Sequence, residues 1–178
     1  MTEEQRIEVQ EHIKNADYRA DYNAICLYAL RLVRNRALAE EFAQETFLRL
    51  LQQEKMAENG EAQPLQNPRA WLYRTARNLI YDFFRRQRKR AEICEYLTVF
   101  TPQSHDSEAI REAENKETNE MLLQKLNELP VRQREAVRLR FQERLKYDEI
   151  AEVMGETRSS VGKLLSEAIR RLREMMQE

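Results

Sequence analysis

Arginine and aromatic side chains are concentrated in one segment of the chain, residues 67–90, which reads NPRAWLYRTARNLIYDFFRRQRKR. The segment holds one Trp, two Tyr and two Phe beside eight basic residues, and Asp82 is its single acidic residue. The guanidinium group of arginine binds phosphate as a planar fork, and aromatic rings stack on unpaired bases. These residue types together predict a surface for nucleic acid whose strands are being separated.

A helix is expected to carry these side chains. Asn67 as the N-cap and Pro68 at the first helical position predict where that helix begins. Its apolar residues recur at helical spacing, so some of the rings must belong to a core; the set is Leu72, Ala76, Leu79, Ile80 and Phe83. The alternative interpretation of the segment is a buried helix that ends in a solvated basic tail.

Charge is strongly segregated along the chain, although the formal net charge is only −1. Residues 1–68 carry a net charge of −4 and residues 69–90 carry +7. Residues 91–120 carry −6 and residues 121–178 carry +2. Because an anionic polymer responds to the local field, the segment 69–90 is the predicted basic surface despite the near-neutral total.

The composition predicts an all-α fold, since 34% of the 178 residues are charged and the chain has only three Gly and four Pro. We expect two small helical domains, residues 1–92 and 121–178, joined by a flexible acidic linker at residues 93–120. A loop at 54–67 precedes the basic helix. Two earlier helices present apolar faces, one with Tyr22, Ile25, Cys26, Ala29, Leu32 and Val33, the other with Phe42, Ala43, Thr46, Phe47, Leu50 and Leu51.

The C-terminal domain is predicted to contain a helix-turn-helix. A short helix at 147–154 is followed by Gly155 as the turn residue and by a longer helix with a continuous apolar stripe. The second helix of such a motif enters the major groove, and an ordinary helical hairpin is the alternative. Its outward face offers small hydroxyls and cations to phosphates and base edges: Arg158, Ser159, Ser160, Lys163, Ser166, Glu167 and Arg170.

The sequence offers little for catalysis, metal binding or membrane insertion. Cys26 and Cys94 form no CxxC pattern, and Cys26 is expected to be a buried thiol on an apolar helical face. The two His residues are isolated, and the three Gly residues form no phosphate-binding loop. We therefore expect no enzymatic activity, no cofactor and no metal. No apolar run is long enough to span a membrane, so a cytoplasmic location is expected.

Three segments, in this order, resemble the extracytoplasmic-function branch of the bacterial sigma-70 family. Residues 39–51, AEEFAQETFLRLL, resemble regions 2.1 to 2.2, and residues 68–90 resemble regions 2.3 and 2.4. Residues 126–155, LNELPVRQREAVRLRFQERLKYDEIAEVMG, with the following helix, resemble region 4. The resemblance covers residues 16–176 and implies a sigma factor that directs core RNA polymerase to promoters and assists opening of the −10 element.

The resemblance also implies roles for individual residues. Gln44, Glu45 and Leu48 match the surface that docks on the β′ clamp helices, and Leu48 is expected to be exposed because it falls within a polar stripe of its helix. Asn78 matches the position that reads a flipped −10 base, whose unpaired edge an amide suits. The backbone around the opened bases is then held by Arg74, Arg77, Arg85, Arg86 and Arg88. The region 4 helix is implied to read the −35 element, and the β flap and an anti-sigma factor are implied as further partners.

The predicted recognition helix departs from the family in its charge. The family commonly has TVKSRLHRAR where this chain has SVGKLLSEAI, so Gly162, Leu164 and Glu167 replace basic residues. The identity of the −35 contacts is therefore open. Two other functions are considered, a stand-alone helix-turn-helix regulator of duplex DNA and a helical protein-interaction adaptor. The first does not explain the basic aromatic helix, and the second does not explain the segregated charge.

Overall fold

The structure is a computed structural model that describes residues 7, 9, 16–95 and 125–177. Every regular element within these ranges is helical, which confirms the predicted all-α fold. The chain divides into two compact units, Met1–Ser107 and Glu108–Glu178. Most of the predicted linker lies outside the described residues, and its first three residues, 93–95, are helical.

Within residues 16–95 the first unit contains three helices, α1 (Ala16–Val33), α2 (Arg36–Glu58) and α3 (Pro68–Glu95), and each packs against the other two. Asn67 begins α3 as predicted, because its side-chain oxygen accepts a hydrogen bond from the Ala70 N–H at 3.2 Å. Asn35 caps α2 in the same way, accepting from the Leu38 N–H at 3.0 Å. Helix α2 continues four residues beyond the predicted start of the loop at residue 54, so the loop is shorter than expected.

Aromatic rings from all three helices meet in the core of this unit. Tyr28 of α1 and Tyr73 of α3 are each 2% exposed, and their ring centroids lie 5.2 Å apart in an edge-to-face contact. Tyr22 of α1 makes a similar contact with Phe47 of α2 at 5.3 Å. Such pairs stabilise a core by roughly 0.5–1.5 kcal/mol beyond the area that they bury. The sequence analysis placed Tyr22 and Phe47 in the core but omitted Tyr28 and Tyr73.

Cys26 lies beside Tyr22, where the side chains of α1 face α2. The thiol is half-buried, and burial raises its pKa. It therefore stays protonated at neutral pH, and since the thiolate is the reactive form, Cys26 acts here as a small packing residue. This agrees with the predicted buried thiol, although the side chain is less completely enclosed than expected.

Leu48 contradicts the sequence analysis, because its side chain is buried, with 5% exposed. A helix that packs on one neighbour buries a single stripe, but α2 packs against both α1 and α3. At 100° per residue, the buried residues of α2 span an arc of roughly 200° around the helix axis. Thr46 lies at one end of this arc and Leu48 at the other. The prediction that Leu48 is exposed on a polar stripe is therefore wrong.

The second unit contains α4 (Val131–Val137), α5 (Tyr147–Met154) and α6 (Arg158–Gln177), and α4 and α5 both pack against α6. A π-helical turn, Arg138–Gln142, continues α4. The turn between α5 and α6 depends on Gly155, whose φ of 66° lies in the left-handed region that favours glycine. Helices α5 and α6 form the predicted helix-turn-helix, and its core includes Leu139, Leu145, Ile150, Val161, Leu165 and Ala168.

The burial of Leu48 predicts a measurable loss of stability on truncation. Leu48→Ala should lower the free energy of unfolding of the first unit by about 2–4 kcal/mol, because it leaves a cavity in the core. Met56→Ala on the same helix should change it by less than about 0.5 kcal/mol, since Met56 is 43% exposed. Urea unfolding of the full chain, followed by the fluorescence of Trp71, reports on this unit because the chain has one Trp. Superimposable curves for Leu48→Ala and the unchanged protein would contradict the burial of Leu48.

Candidate nucleic-acid interfaces

The side of α3 that faces away from α1 and α2 carries most of the predicted basic residues. Its opposite side is fixed in the core by Leu72, Ala76 and Ile80, which are each at most 2% exposed. At 100° per residue the outward residues fall within an arc of roughly 100°. We call this surface the arginine–aromatic face, and it consists of Arg74, Arg77, Asn78, Tyr81, Arg85 and Arg88.

One arginine of this face is held against an aromatic ring. The guanidinium carbon of Arg77 lies 4.7 Å from the centroid of the Tyr81 ring, which is a cation–π contact. Tyr81 is nevertheless 36% exposed, so the pair presents a ring and a cation to the same ligand. Arg85 forms an exposed ion pair with Asp82 at 3.0 Å, and such a pair contributes at most about 1 kcal/mol. It therefore leaves Arg85 able to exchange its carboxylate for a phosphate.

Only two of the five aromatic residues of the segment are exposed. Tyr73 is buried, Trp71 is half-buried, and the ring of Phe83 packs edge-to-face on Phe42 of α2 at 5.5 Å. Tyr81 and Phe84 remain, and Phe84 is 43% exposed. The sequence analysis did not separate the two groups. Helical phase relative to Leu72, Ala76 and Ile80 places Phe83 on the buried side and Tyr81 on the exposed side. It does not separate Tyr73 from Phe84, which lie only about 20° apart around α3.

Arg86 is the one predicted residue of α3 that does not share this face. It is exposed, but it lies roughly 80° around the helix from Asn78. Its side chain therefore lies on the flank of α3, outside the arginine–aromatic face. Asn78 is exposed between Arg74 and Tyr81 on the face itself.

The three residues predicted to dock on polymerase do not form one exposed surface. Leu48 is in the core, and Gln44 and Glu45 are half-buried. The side chain of Gln44 is hydrogen-bonded to Tyr22, and Glu45 pairs with Arg49 at 3.0 Å. The exposed strip of α2 lies beside these residues and includes Glu41, Arg49, Gln52 and Met56.

The second unit has an open groove along α6. We call it the recognition groove, and it is lined by Tyr147 of α5 and by Arg158, Ser159, Gly162, Lys163, Ser166 and Glu167 of α6. Five of the seven residues predicted for this helix therefore line one concavity. The sequence analysis missed Tyr147, which precedes the apolar positions of α5, and it treated Gly162 only as the replacement of a basic residue.

Ser160 and Arg170 do not line the recognition groove. Ser160 is half-buried, and its hydroxyl donates to the Glu156 carboxylate at 2.8 Å. Its backbone N–H donates to the Thr157 hydroxyl at 3.1 Å, so Thr157 caps α6. The prediction that Ser160 lies on the outward face is therefore wrong, because the side chain closes the turn instead. Arg170 is exposed one turn beyond the groove and pairs with Glu174 at 3.1 Å.

Contacts between side chains hold the entrance of the recognition groove. Arg158 pairs with Asp148 of α5 at 2.8 Å. The guanidinium group of Arg140 lies 5.4 Å from the centroid of the Tyr147 ring and donates to the Leu145 carbonyl at 2.9 Å. The π-helical turn, the start of α5 and the start of α6 are thereby connected at one end of the groove.

Among residues 16–95 and 125–177, no group of three or more His, Cys, Asp or Glu side chains is placed to hold a metal ion. No helix within the same ranges combines the length and apolarity that a membrane span requires.

Two family models match the chain, one in each unit. The model described as "Sigma-70 region 2" matches residues 18–90, which include nearly all of α1, the whole of α2 and the arginine–aromatic face. The model described as "Sigma-70, region 4" matches residues 119–172, which include the helix-turn-helix. Both matches agree with the resemblance drawn from the sequence.

Curated relatives are similar over most of the chain. The ECF RNA polymerase sigma factor SigM of Bacillus subtilis is 27% identical over 88% of this chain and 90% of its own length. The ferric citrate uptake sigma factor FecI of Escherichia coli is 31% identical over 74% of this chain and 72% of its own length. The ECF RNA polymerase sigma factor SigL of Mycobacterium tuberculosis is 30% identical over 85% of this chain and 81% of its own length.

A solved structure is similar in fold. It is the sigma factor RpoE from Bartonella quintana, crystallised with the anti-sigma factor NepR. The TM-score is 0.61 at 20% sequence identity, and the match covers 90% of this chain and 94% of that one.

The two glycines of the helix-turn-helix should respond oppositely to alanine. At both positions an added Cβ has no heavy atom within 4 Å, so only the backbone conformation differs. Gly155→Ala should destabilise the second unit by about 1–2 kcal/mol, because its φ is left-handed. Gly162→Ala should stabilise it by about 0.5–1 kcal/mol, because Gly162 lies within a helix. Hydrogen exchange of peptides from α5 and α6 in the full chain measures both changes, and faster exchange in Gly162→Ala would contradict the second.

Proposed function

The chain belongs to the extracytoplasmic-function branch of the bacterial sigma-70 family, and we propose that its two units divide promoter recognition between opened and duplex DNA. It is an RNA polymerase sigma factor, so it directs core polymerase to promoters and assists DNA opening. In our proposal, the arginine–aromatic face engages the −10 element as its strands separate. The recognition groove engages the −35 element as a duplex.

The observation that carries the −10 assignment is the cation–π pair of Arg77 and Tyr81 beside the exposed amide of Asn78. A ring that is exposed and held by a cation offers a platform for an unpaired base. The Asn78 amide has both a donor and an acceptor, so it can pair with the edge of a base that has left the duplex. Arg74, Arg85 and Arg88 hold the sugar–phosphate backbone on the same face, and Arg86 holds it at the flank.

The −35 assignment is supported by the shape and chemistry of the recognition groove. The N-terminal part of α6 lies in a concavity with Ser159 and Lys163, and neither residue has a side-chain partner within the described residues. Hydroxyl and ammonium groups donate to phosphates and base acceptors, and a recognition helix contacts base edges with its first turns. Arg158 contributes at the entrance, where its pair with Asp148 is exposed.

Core RNA polymerase and promoter DNA are the partners of a sigma factor. We infer that α2 docks on the β′ clamp helices through Gln44, Glu45 and the exposed strip beside them, with Leu48 supporting this surface from the core. The second unit is proposed to contact the β flap. An anti-sigma factor is proposed as a regulatory partner, by analogy with the complex of the Bartonella quintana sigma factor.

The protein is proposed to act in the cytoplasm and without catalysis of its own. In our proposal nucleotide transfer belongs to the polymerase, and neither the arginine–aromatic face nor the recognition groove is assigned a catalytic role. Co-purification with core polymerase, followed by transcription from a pool of promoter fragments, tests the proposed function. A chain that does not associate with core polymerase would contradict it.

The first prediction of the proposed function concerns binding of DNA by the free chain. Its basic surface is largely confined to α3, while the whole chain has a net charge of −1, so duplex DNA should bind it weakly at physiological salt. The complex with core polymerase should bind promoter fragments specifically. Fluorescence anisotropy with labelled duplexes, at about 0.15 M salt, measures both affinities. Tight and sequence-specific binding by the free chain would favour the stand-alone regulator instead.

A second prediction separates base reading from backbone binding on α3. Asn78→Ala should relax base preference within the −10 element, with a loss of roughly 1–3 kcal/mol of discrimination. Arg86→Ala should weaken binding to all promoters about equally, because a phosphate contact carries little sequence information. It should also reduce the salt dependence of that binding. Transcription from a randomised promoter library measures both variants.

The matched control for these variants is Arg36→Ala, which removes an exposed arginine of α2 whose partner is Glu40. It should leave both base preference and salt dependence unchanged, since Arg36 lies outside the arginine–aromatic face. A shift of −10 preference in Arg86→Ala together with an unchanged preference in Asn78→Ala would show that the two roles are reversed.

A further inference from the structure

Glu167 is the acidic residue among those that line the recognition groove. Its side chain is exposed, and its Oε2 accepts a hydrogen bond from the Gln133 Nε2 at 3.0 Å. Gln133 belongs to α4, so the contact joins residues 34 positions apart in the sequence. A carboxylate beside duplex DNA repels the phosphates and weakens binding unless it meets a hydrogen-bond donor.

Gln133 is a buried amide that is not fully paired. It is 5% exposed, and its Oε1 has no hydrogen-bond partner within the described residues. The orientation of the amide is determined, since an ionised carboxylate only accepts and the NH₂ group must therefore face Glu167. Burying an unpaired carbonyl oxygen opposes folding, so an apolar side chain of similar size would suit the packing better. The amide is thus explained by its effect on Glu167 and not by the stability of the unit.

Glu167 bonds to Gln133 and forms no ion pair with the nearby cation Lys163. Lys163 lies one helical turn earlier on α6, within reach of an i,i+4 ion pair with Glu167. No such pair forms, and Lys163 is exposed without a hydrogen-bond or ion-pair partner within the described residues. The groove therefore presents an ammonium donor and a carboxylate acceptor side by side, and neither neutralises the other.

We propose that Glu167 is a specificity-determining residue that accepts a hydrogen bond from the N4 amine of a cytosine, and that Gln133 is its positioning residue. This inference rests on the proposed role of the recognition groove at the −35 element. In the major groove cytosine presents a donor, guanine presents two acceptors, and thymine presents an acceptor and a methyl group. Adenine presents a donor beside the N7 acceptor, which repels a carboxylate. A fixed carboxylate therefore selects cytosine.

The test is selection from a promoter library randomised in the −35 element and transcribed by core polymerase with the full chain. The unchanged protein should prefer cytosine at one position. Glu167→Gln should shift that preference from cytosine towards adenine, because an amide pairs with the N6 and N7 of adenine at once. Discrimination in favour of cytosine should fall roughly tenfold or more at that position and remain unchanged at the others.

Gln133→Leu tests the positioning role. It should leave the melting temperature of the second unit unchanged or higher, because it removes a buried unpaired oxygen. It should nevertheless weaken the preference for cytosine without creating one for adenine, since the carboxylate remains but is no longer oriented. Loss of stability with an unchanged base profile would show that Gln133 is only structural, and it would overturn this part of the inference.

Glu174→Gln is the matched control, because it makes the same change on the same helix beyond the recognition groove, where Glu174 pairs with Arg170. It should leave the base profile unchanged. If Glu167→Gln raised transcription equally from promoters with every −35 sequence, Glu167 would only repel DNA. If the base preference were unchanged, Glu167 would lie away from the bases. Either result overturns the inference. If the unchanged protein showed no base preference in the −35 element but kept its preference in the −10 element, the proposed role of the recognition groove would be overturned instead.

Discussion

The phase of the buried face of α3 determines which side chains of the basic segment are exposed. The buried residues of α3 pack against α1 and α2; they are Leu72, Ala76 and Ile80. A rotation of α3 about its axis that changed its exposed face would also expose these residues. The same packing that buries Tyr73 therefore exposes Tyr81 and orients Arg77 over its ring. In our proposal, recognition of opened DNA depends in this way on the packing of the core as well as on the exposed residues.

Helical phase could be read from the sequence of α3 but only partly from that of α2. The 3.6-residue periodicity of apolar residues correctly predicted that Leu72, Ala76 and Ile80 are buried, because α3 has a highly polar outer face. The same rule failed for Leu48, since it assumes a single buried stripe and α2 packs against two helices. How many neighbours a helix has is a property of the tertiary fold, and no window of local sequence contains it.

Local signals specified the helix-turn-helix well, and long-range contacts within it were not predictable. Gly155 at the left-handed turn position and the apolar stripe of α6 are local features, and the structure agrees with both. The inward turn of Ser160 towards Glu156 depends on the geometry of the turn itself. The hydrogen bond between Gln133 and Glu167 depends on how α4 packs against α6, which a single sequence does not reveal.

In our proposal, the ion pairs of α6 make the second unit better suited to discriminate between DNA sequences than to hold DNA. Arg158 and Arg170 already pair with Asp148 and Glu174, so a phosphate that binds either arginine must displace a carboxylate. An exposed pair contributes only about 0–1 kcal/mol, but each displacement also reduces the net gain from releasing counterions. A phosphate that binds Lys163 displaces no carboxylate, because Lys163 has no carboxylate partner within the described residues. In our proposal, affinity for the promoter therefore comes mainly from the polymerase and from the first unit, and base contacts in the recognition groove select among promoters that are already bound.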